Sequence, residues 1–118
     1  MNPTPEENAA AMRSRVAELA MKFIDRSRAE LASMRGALDR VRSGDAQALA
    51  EIRNLAHRAA GTGATLGFGT LSDKARDIEK IAEAQAPGAV PDAATLEQLS
   101  SAVDALDAEL ARMPHGAA

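Results

Sequence analysis

The positions of apolar residues along the chain predict four amphipathic helices. In the first, apolar side chains recur mostly at steps of three and four residues, which places them on one face of a helix. These positions are Val16, Leu19, Ala20, Phe23, Ile24, Leu31, Met34, Leu38 and Val41. They predict a helix over residues 6–42, either continuous or with a separate helical segment at its start.

Three further helices are predicted over residues 46–66, 70–84 and 92–112, joined by short connections. Each again carries apolar residues on one face. The predicted buried positions are Leu49, Ile52, Ala56, Ala59, Ala60 and Gly63, then Leu71, Ala75, Ile78 and Ala82, then Leu96, Leu99, Val103, Leu106, Leu110 and Met113. Four such helices predict an all-α, antiparallel up-down four-helix bundle forming one domain over residues 1–118.

Short polar motifs mark where these helices begin. Thr4 is followed three residues later by Glu7, which predicts a capping box. Residues 43–45, Ser-Gly-Asp, predict the end of the first helix and a cap for the second. Residues 70–73, Thr-Leu-Ser-Asp, predict a second capping box, and Asp92 is the predicted cap of the fourth helix.

Composition narrows the class of protein. Hydrophobic residues make up 46% of the 118 residues and aromatic ones 2%, so the core must be aliphatic. A net charge of −3 argues against nucleic-acid binding, and zero cysteines exclude disulfides and thiolate chemistry. The sequence has no apolar run of the roughly 18 residues that span a membrane, and its start is polar. We expect a cytoplasmic monomer without a membrane partner, and the alanine- and arginine-rich composition is consistent with a bacterial origin.

The stretch LAHRAAGTGATLGFG, residues 55–69, contains a candidate site. On a helical wheel, His57 lies roughly 130° from the centre of the apolar face, which predicts that it points outward. Gly61 follows one turn later and Gly63 two residues after that. A helical glycine costs up to about 1 kcal/mol relative to alanine. We therefore expect Gly61 to leave the imidazole accessible and Gly63 to let a neighbouring helix approach closely.

An exposed neutral imidazole is a competent nucleophile at neutral pH. The chain has no acid, second histidine or serine at triad spacing from His57, which argues against a hydrolase. His57 is instead suited to accepting a phosphoryl group from a partner that supplies the metal and the rest of the site. The alternative is an ordinary surface histidine, with the glycines serving only helix packing.

An ordered set of residues adds to this interpretation. It consists of His57, Gly61, Thr62, Gly63, Leu66 and Gly67, followed by Leu71, Ala75, Ile78 and Glu79. The set resembles the pattern of the histidine-containing phosphotransfer (HPt) family closely over residues 57–79, and the resemblance extends over roughly the whole bundle. Residues 65–69 also resemble the phosphotransfer module of chemotaxis kinases, but no kinase core accompanies them, so we expect a free-standing shuttle.

The resemblance implies a function in a two-component phosphorelay. His57 Nε2 would accept a phosphoryl group from a receiver-domain aspartate and pass it to another. The expected partners are response-regulator receiver domains, a hybrid histidine kinase, or both. The chain itself would bind no cofactor or metal, and Mg²⁺ would lie in the receiver's acidic pocket. The expected docking residues are Asn54, Ala60, Ala64 and Thr65, with Gly61 supporting access to His57.

One position departs from the family pattern. The family usually has a lysine three residues after the histidine, where this chain has Ala60. Arg53 and Arg58 are the candidates to supply the missing charge. Arg53 is preferred because it lies one turn before His57 on the same face, whereas Arg58 lies about 100° around the helix. The alternatives are a non-catalytic adaptor that binds a receiver or kinase, and a structural bundle with no transfer role.

Other ligand sites find little support in the sequence. The glycine-rich stretch lacks the GK[ST] ending of a phosphate-binding loop, and no strand precedes it. His57 and His115 lie too far apart in the sequence to indicate a metal site, and residues 114–118 are predicted to be a frayed tail.

Overall fold

A computed structural model describes residues 2–114, which contain four helices and no strand. The helices are α1 (Pro5–Arg42), α2 (Gln47–Thr65), α3 (Gly69–Glu83) and α4 (Ala93–Ala111). Each helix end lies within one residue of its predicted position, and α1 is continuous. His115 and the rest of the predicted frayed tail beyond Pro114 lie outside the described residues.

The helices pack as the predicted antiparallel up-down bundle. α1 contacts α2 and α4, and α3 contacts the same two helices. Within residues 2–114, no Cα atom of α1 lies within 8 Å of a Cα atom of α3, and the same holds for α2 and α4, so neighbours in the chain are neighbours in space. This arrangement buries one apolar stripe from each helix in a single core.

Aliphatic side chains fill that core, as the composition predicts. The largest fully buried ones are Ile24, Met34, Ile52, Leu71, Ile78, Leu99, Leu106 and Leu110. All the predicted buried positions of α2 and α3 are buried. Of the predicted buried positions in the last segment, Leu96 and Met113 are only partly buried because they lie at its two ends, with Met113 just beyond the end of α4.

Two predicted caps are present. The Thr4 side chain accepts a hydrogen bond from the Glu7 backbone N–H, and the Glu7 carboxylate accepts one from the Thr4 N–H, so the capping box is complete. At the start of α4, Asp92 Oδ1 accepts a hydrogen bond from the Thr95 N–H at 2.8 Å. Both caps satisfy backbone donors that the first helical turn leaves unpaired.

The predicted capping box of α3 is wrong. The helix begins at Gly69, and its N-cap residue is Phe68, which makes no side-chain capping bond. Thr70 is therefore already inside the helix. Ser72 is buried, and its hydroxyl donates to the Ala60 carbonyl on α2 at 2.7 Å. Ser72 thus links two helices instead of helping to cap one.

The turn between α1 and α2 matches its prediction in part. The first helix ends as expected, and Gly44 has a φ of 101°, a conformation that glycine adopts without strain. The N-cap residue of α2 is Ala46, which has no capping side chain. Asp45 Oδ1 instead accepts a hydrogen bond from the Gln47 N–H at 3.1 Å.

The start of α1 extends beyond the rest of the bundle. α1 has 38 residues, whereas the other helices have 19, 15 and 19. Residues 5–19, here called the α1 overhang, are all exposed, and the expectation that Val16 and Leu19 belong to a buried stripe is wrong. No other helix is long enough to cover them. Separately, no helix within residues 2–114 has the combined length and apolar character needed to cross a bilayer.

Candidate functional site

His57 lies near the middle of α2 and points outward, as predicted. Its side chain is 64% exposed. The opposite face of the same helix is buried, with Ile52 and Ala56 both fully inaccessible to solvent. The helix therefore fixes the backbone of His57 while leaving its imidazole open to an approaching reactant.

Glu79 on α3 is the partner of this imidazole. Its carboxylate oxygen Oε2 is hydrogen-bonded to His57 Nδ1, and the Glu79 side chain is only 14% exposed. An ionised carboxylate can only accept hydrogen bonds, so Nδ1 must carry the proton. The neutral ring then has no proton on Nε2, and that nitrogen has the free lone pair of a nucleophile.

Sequence reasoning missed this role of Glu79. It found no acid at triad spacing because Glu79 lies 22 residues away on the next helix. The sequence feature that could have indicated this role is the position of Glu79 directly after Ile78, which lies on the buried face of α3. A carboxylate at the edge of a buried stripe lies beside the neighbouring helix. The sequence does not show which helix that is, and only the pairing of α2 with α3 places His57 next to Glu79.

The two glycines near His57 have different surroundings. A Cβ atom added at Gly61 would meet no atom within 4 Å, so the surface there is open. A Cβ atom added at Gly63 would lie 3.1 Å from Leu71 Cδ2 and 3.6 Å from Phe23 Cζ. Both expectations are confirmed: Gly61 leaves the surface beside the histidine clear, and Gly63 allows close packing.

The end of α2 is fixed by a Schellman motif. The Phe68 N–H donates to the Gly63 carbonyl at 2.8 Å, and the Gly67 N–H donates to the Ala64 carbonyl at 3.3 Å. Gly67 has the positive φ, 84°, that this motif requires. The Phe68 ring then stacks on Phe23 of α1 at a centroid distance of 6.0 Å. These contacts hold the end of the histidine helix against α1.

The expected docking role of Ala60 is wrong. Ala60 is 3% exposed and packs with Ala59 and Ala75 where α2 and α3 approach each other. A partner cannot reach a methyl group that α3 covers. The other expected docking residues, Asn54, Ala64 and Thr65, are exposed and remain predictions.

Arg53 has two partners, neither of them His57. Its guanidinium forms an ion pair with Glu83 of α3 at 3.1 Å and donates to Asn54 Oδ1 at 3.0 Å. Glu83 lies one turn beyond Glu79, so Arg53 and His57 each pair with a different carboxylate on the same helix. The preference for Arg53 as the substitute cation therefore finds no support in these contacts.

Arg58 and Arg26 lie in a different environment. Together with Glu30 of α1, they line an open groove of about 430 Å³ that also includes His57 and Thr62. Neither arginine forms a hydrogen bond or ion pair with another residue of the described chain. Two cations are thus available next to the imidazole, one from each helix that borders the groove.

These features define a helical bundle that presents the outward histidine His57, oriented by a carboxylate and bordered by two arginines that have no partner among residues 2–114. Residues 18–109 match the family model described as the Hpt domain. The chain belongs to this family, whose members carry out histidine phosphotransfer in phosphorelay signalling and interact with receiver domains and kinases. No curated protein and no solved structure gives a significant match to the chain.

Proposed function

We propose that this chain is a phosphoryl carrier in which His57 Nε2 accepts a phosphoryl group from one receiver-domain aspartate and passes it to another. The observation that carries the proposal is the exposed His57 imidazole, whose Nδ1 is hydrogen-bonded to the largely buried Glu79 carboxylate. A carrier needs an accessible nucleophile held in one tautomer, and this pair supplies both.

The transfer step follows from the tautomer. The Nε2 lone pair attacks the phosphorus of the aspartyl phosphate, and a new N–P bond forms. The bond between phosphorus and the aspartate oxygen breaks, and its electron pair leaves with the carboxylate. The ring gains positive charge as Nε2 bonds to phosphorus, and the Glu79 carboxylate stabilises that charge through Nδ1–H. The reverse reaction delivers the group to a second receiver.

The phosphoryl oxygens need a cation, and we assign that role to Arg58, with Arg26 across the groove. Both arginines line the groove beside His57 without a carboxylate partner from the described residues. A guanidinium suits this role because its planar N–H groups match phosphate oxygens. Arg58 replaces the family lysine in this proposal, and Arg53 serves to hold α2 against α3.

The partners would be response-regulator receivers or a hybrid histidine kinase, with Mg²⁺ bound by the receiver's acidic pocket. Asn54, Gly61, Ala64 and Thr65 would form the surface that meets the receiver. We infer that the carrier works in the cytoplasm of a bacterial cell, because the composition is rich in alanine and arginine and the sequence has no cysteine, and that it acts as a monomer.

The test is to mix the full chain with a panel of receiver domains carrying labelled phosphate. Acid-labile, base-stable label should appear on the wild-type chain and be lost in His57→Gln. The matched control is His115→Gln, which removes the other histidine and should keep the label. Equal labelling of wild type and His57→Gln would overturn the proposal.

The second candidate is an adaptor that binds a receiver without carrying phosphate. Ala60 favours it, because the family's usual lysine is absent at that position. Binding of a receiver by the wild-type chain, with no label transferred from any member of the panel, would support the adaptor.

A further inference from the structure

The α1 overhang carries an exposed apolar stripe. Met12, Val16 and Leu19 are 62%, 48% and 57% exposed. Their spacing of four and three residues places them on one face, and the same face continues to Phe23, which is buried in the core. Of the large hydrophobic side chains that are exposed in residues 2–114, only Val90 lies elsewhere. A concentrated patch of this kind marks an interaction surface more often than scattered residues do.

A row of cations borders this stripe on one side. On a helix with about 100° per residue, Arg15, Lys22 and Arg26 all lie about 80–120° from Val16 in the same direction. Arg26 lines the groove that contains His57, so this edge of α1 faces the histidine side of the bundle. The stripe, the basic edge and the His57 groove therefore form one continuous surface.

These cations differ from those further along α1. Arg35 pairs with Asp104 at 3.0 Å and with Asp107 at 2.8 Å, both on α4. By contrast, Arg15 and Lys22 form no hydrogen bond or ion pair with any residue between 2 and 114. Their charge is available to an acidic partner.

The distance along α1 suits a partner docked over His57. The groove places His57 level with Glu30, and Leu19 lies eleven residues earlier, about 16 Å along the helix axis. A globular domain of about 100 residues has a radius of gyration of about 13 Å, so its edge lies about 17 Å from its centre. A receiver centred on the histidine would therefore reach Leu19 and approach Val16.

We propose that the α1 overhang is a second contact area for the receiver domain, in addition to the surface around His57. The receiver would cover Leu19 and the near side of Val16 with apolar side chains and present carboxylates to Lys22, whereas Met12 lies about 27 Å along the axis from Glu30 and continues the stripe past the edge of the receiver. This inference rests on the proposed function, because it takes the occupant to be the phosphoryl donor or acceptor.

A second copy of the chain suits this surface less well. Consider two copies of α1 paired antiparallel, with Met12 of each copy stacked on Val16 of the other. Arg13 then lies close to Arg13 of the other copy, and Arg15 lies close to Arg15 of the other copy. Like charges in these positions oppose pairing. A parallel pairing would direct the second α1 into the end of the first bundle, where α2 and α4 already lie.

The test is the rate of phosphoryl transfer from labelled receiver to the full chain as a function of receiver concentration. The variant Met12→Ala/Val16→Ala/Leu19→Ala removes the stripe and keeps a strong helix former at each position. The matched control is Ser14→Ala/Glu18→Ala, which alters the opposite face of the same segment. We expect the stripe variant to raise the KM for the receiver about tenfold and to leave kcat unchanged. A tenfold change corresponds to the loss of about 1.4 kcal/mol of binding free energy.

Three results separate the possible outcomes. A stripe variant with the KM of wild type would overturn the inference and leave the proposed function intact. A wild-type dimer that becomes monomeric in the stripe variant, with no change in KM, would assign the stripe to a second copy and also overturn it. If the wild type accepts no label, the proposed function fails, and the docking surface is then tested by titrating the chain with unphosphorylated receiver. Weaker binding by the stripe variant, with the control variant binding like wild type, would support the docking surface. Equal binding by all three would overturn it.

Discussion

The two pairs of helices on opposite sides of the bundle are built from different side chains. Where α1 meets α4, the contact is made by large aliphatic groups, and Met34, Leu106 and Leu110 are each 1% exposed. At the rim, Arg35 binds Asp107, and Arg28 donates to backbone carbonyls at the end of α4. This side gains its stability from buried apolar area, and its two arginines Arg28 and Arg35 find partners on or just beyond α4.

Where α2 meets α3, the contact is made by small groups around His57. Ala59, Ala60 and Ala75 form their own buried cluster, and Leu71 fills the space that a Cβ atom at Gly63 would need. Small side chains bury less area, but they bring the two backbones close together. This closeness explains how the Ser72 hydroxyl reaches a backbone carbonyl on α2, and how Glu79 reaches His57.

The two contacts contribute differently to the stability of the fold and to the chemistry of His57. The α1–α4 side contributes only to the packed core and its rim, whereas the α2–α3 side also positions a nucleophile and leaves it exposed. Substitutions on the first side should lower the free energy of unfolding without changing the folded protein's transfer rate. Substitutions of exposed groups on the second should do the reverse.

The largest expected effect is on the α1–α4 side. Leu106→Ala should lower the free energy of unfolding by about 2–5 kcal/mol, because it removes a fully buried side chain and leaves a cavity. Chemical denaturation measures this loss, and Leu19→Ala on the exposed overhang is the control expected to change it little. The transfer rate per folded molecule should stay at the wild-type value. A rate that falls with stability would contradict the separation of the two sides.

A smaller effect is expected from Glu79→Gln on the α2–α3 side. The amide keeps the shape and can still accept from His57 Nδ1–H, but it lacks the negative charge that stabilises the ring during transfer. We expect phosphoryl acceptance to slow about tenfold, corresponding to about 1.4 kcal/mol. Glu83→Gln is the matched control, since Glu83 is one turn away and pairs with Arg53. Equal rates in the two variants would show that the Glu79 charge has no role.

The contrast also explains how much the sequence could predict. Periodic apolar residues report which face of a helix is buried, so the four helices and nearly all core positions were predictable. His57 and Gly61 were predictable for the same reason, because they lie away from the apolar face. Val16 continues the same periodic pattern, however, and is exposed. Periodicity cannot show that the other helices are too short to cover it.

Contacts between helices were the part that the sequence did not reveal. Arg53 was preferred over Arg58 because it shares a helical face with His57. The decisive fact is the presence of Glu83 on α3, which takes the Arg53 guanidinium. In the same way, the sequence predicts Ala60 both as a buried position and as a docking residue, and the contact with Ala75 of α3 decides between the two. Local spacing fixes neighbours within one helix, whereas pairing between helices depends on how the bundle assembles.

The two glycines of α2 allow a finer test. Gly61→Ala should raise the free energy of unfolding by about 0.5–1 kcal/mol, because alanine is the better helix former and its methyl group meets open space. Gly63→Ala is the control: its methyl group would press on the buried Leu71, and this contact should offset the gain. Denaturation of both variants measures the difference. If Gly63→Ala is stabilised as much as Gly61→Ala, the close approach at Gly63 does not constrain the helix.

The smallest expected effect is a pH dependence at the start of α4, far from the histidine. The Asp92 pKa is lowered, chiefly by the hydrogen bond that its carboxylate accepts from the Thr95 backbone N–H. A lowered folded-state pKa means that the ionised group stabilises the fold above its unfolded pKa, and that this contribution disappears as pH falls through the folded value. Asp92→Asn still caps the helix but does not titrate. Below about pH 4, the wild-type Tm should therefore fall more steeply than that of Asp92→Asn. Parallel Tm profiles would show that the charge of this cap contributes nothing, and that the hydrogen bond alone stabilises the start of α4.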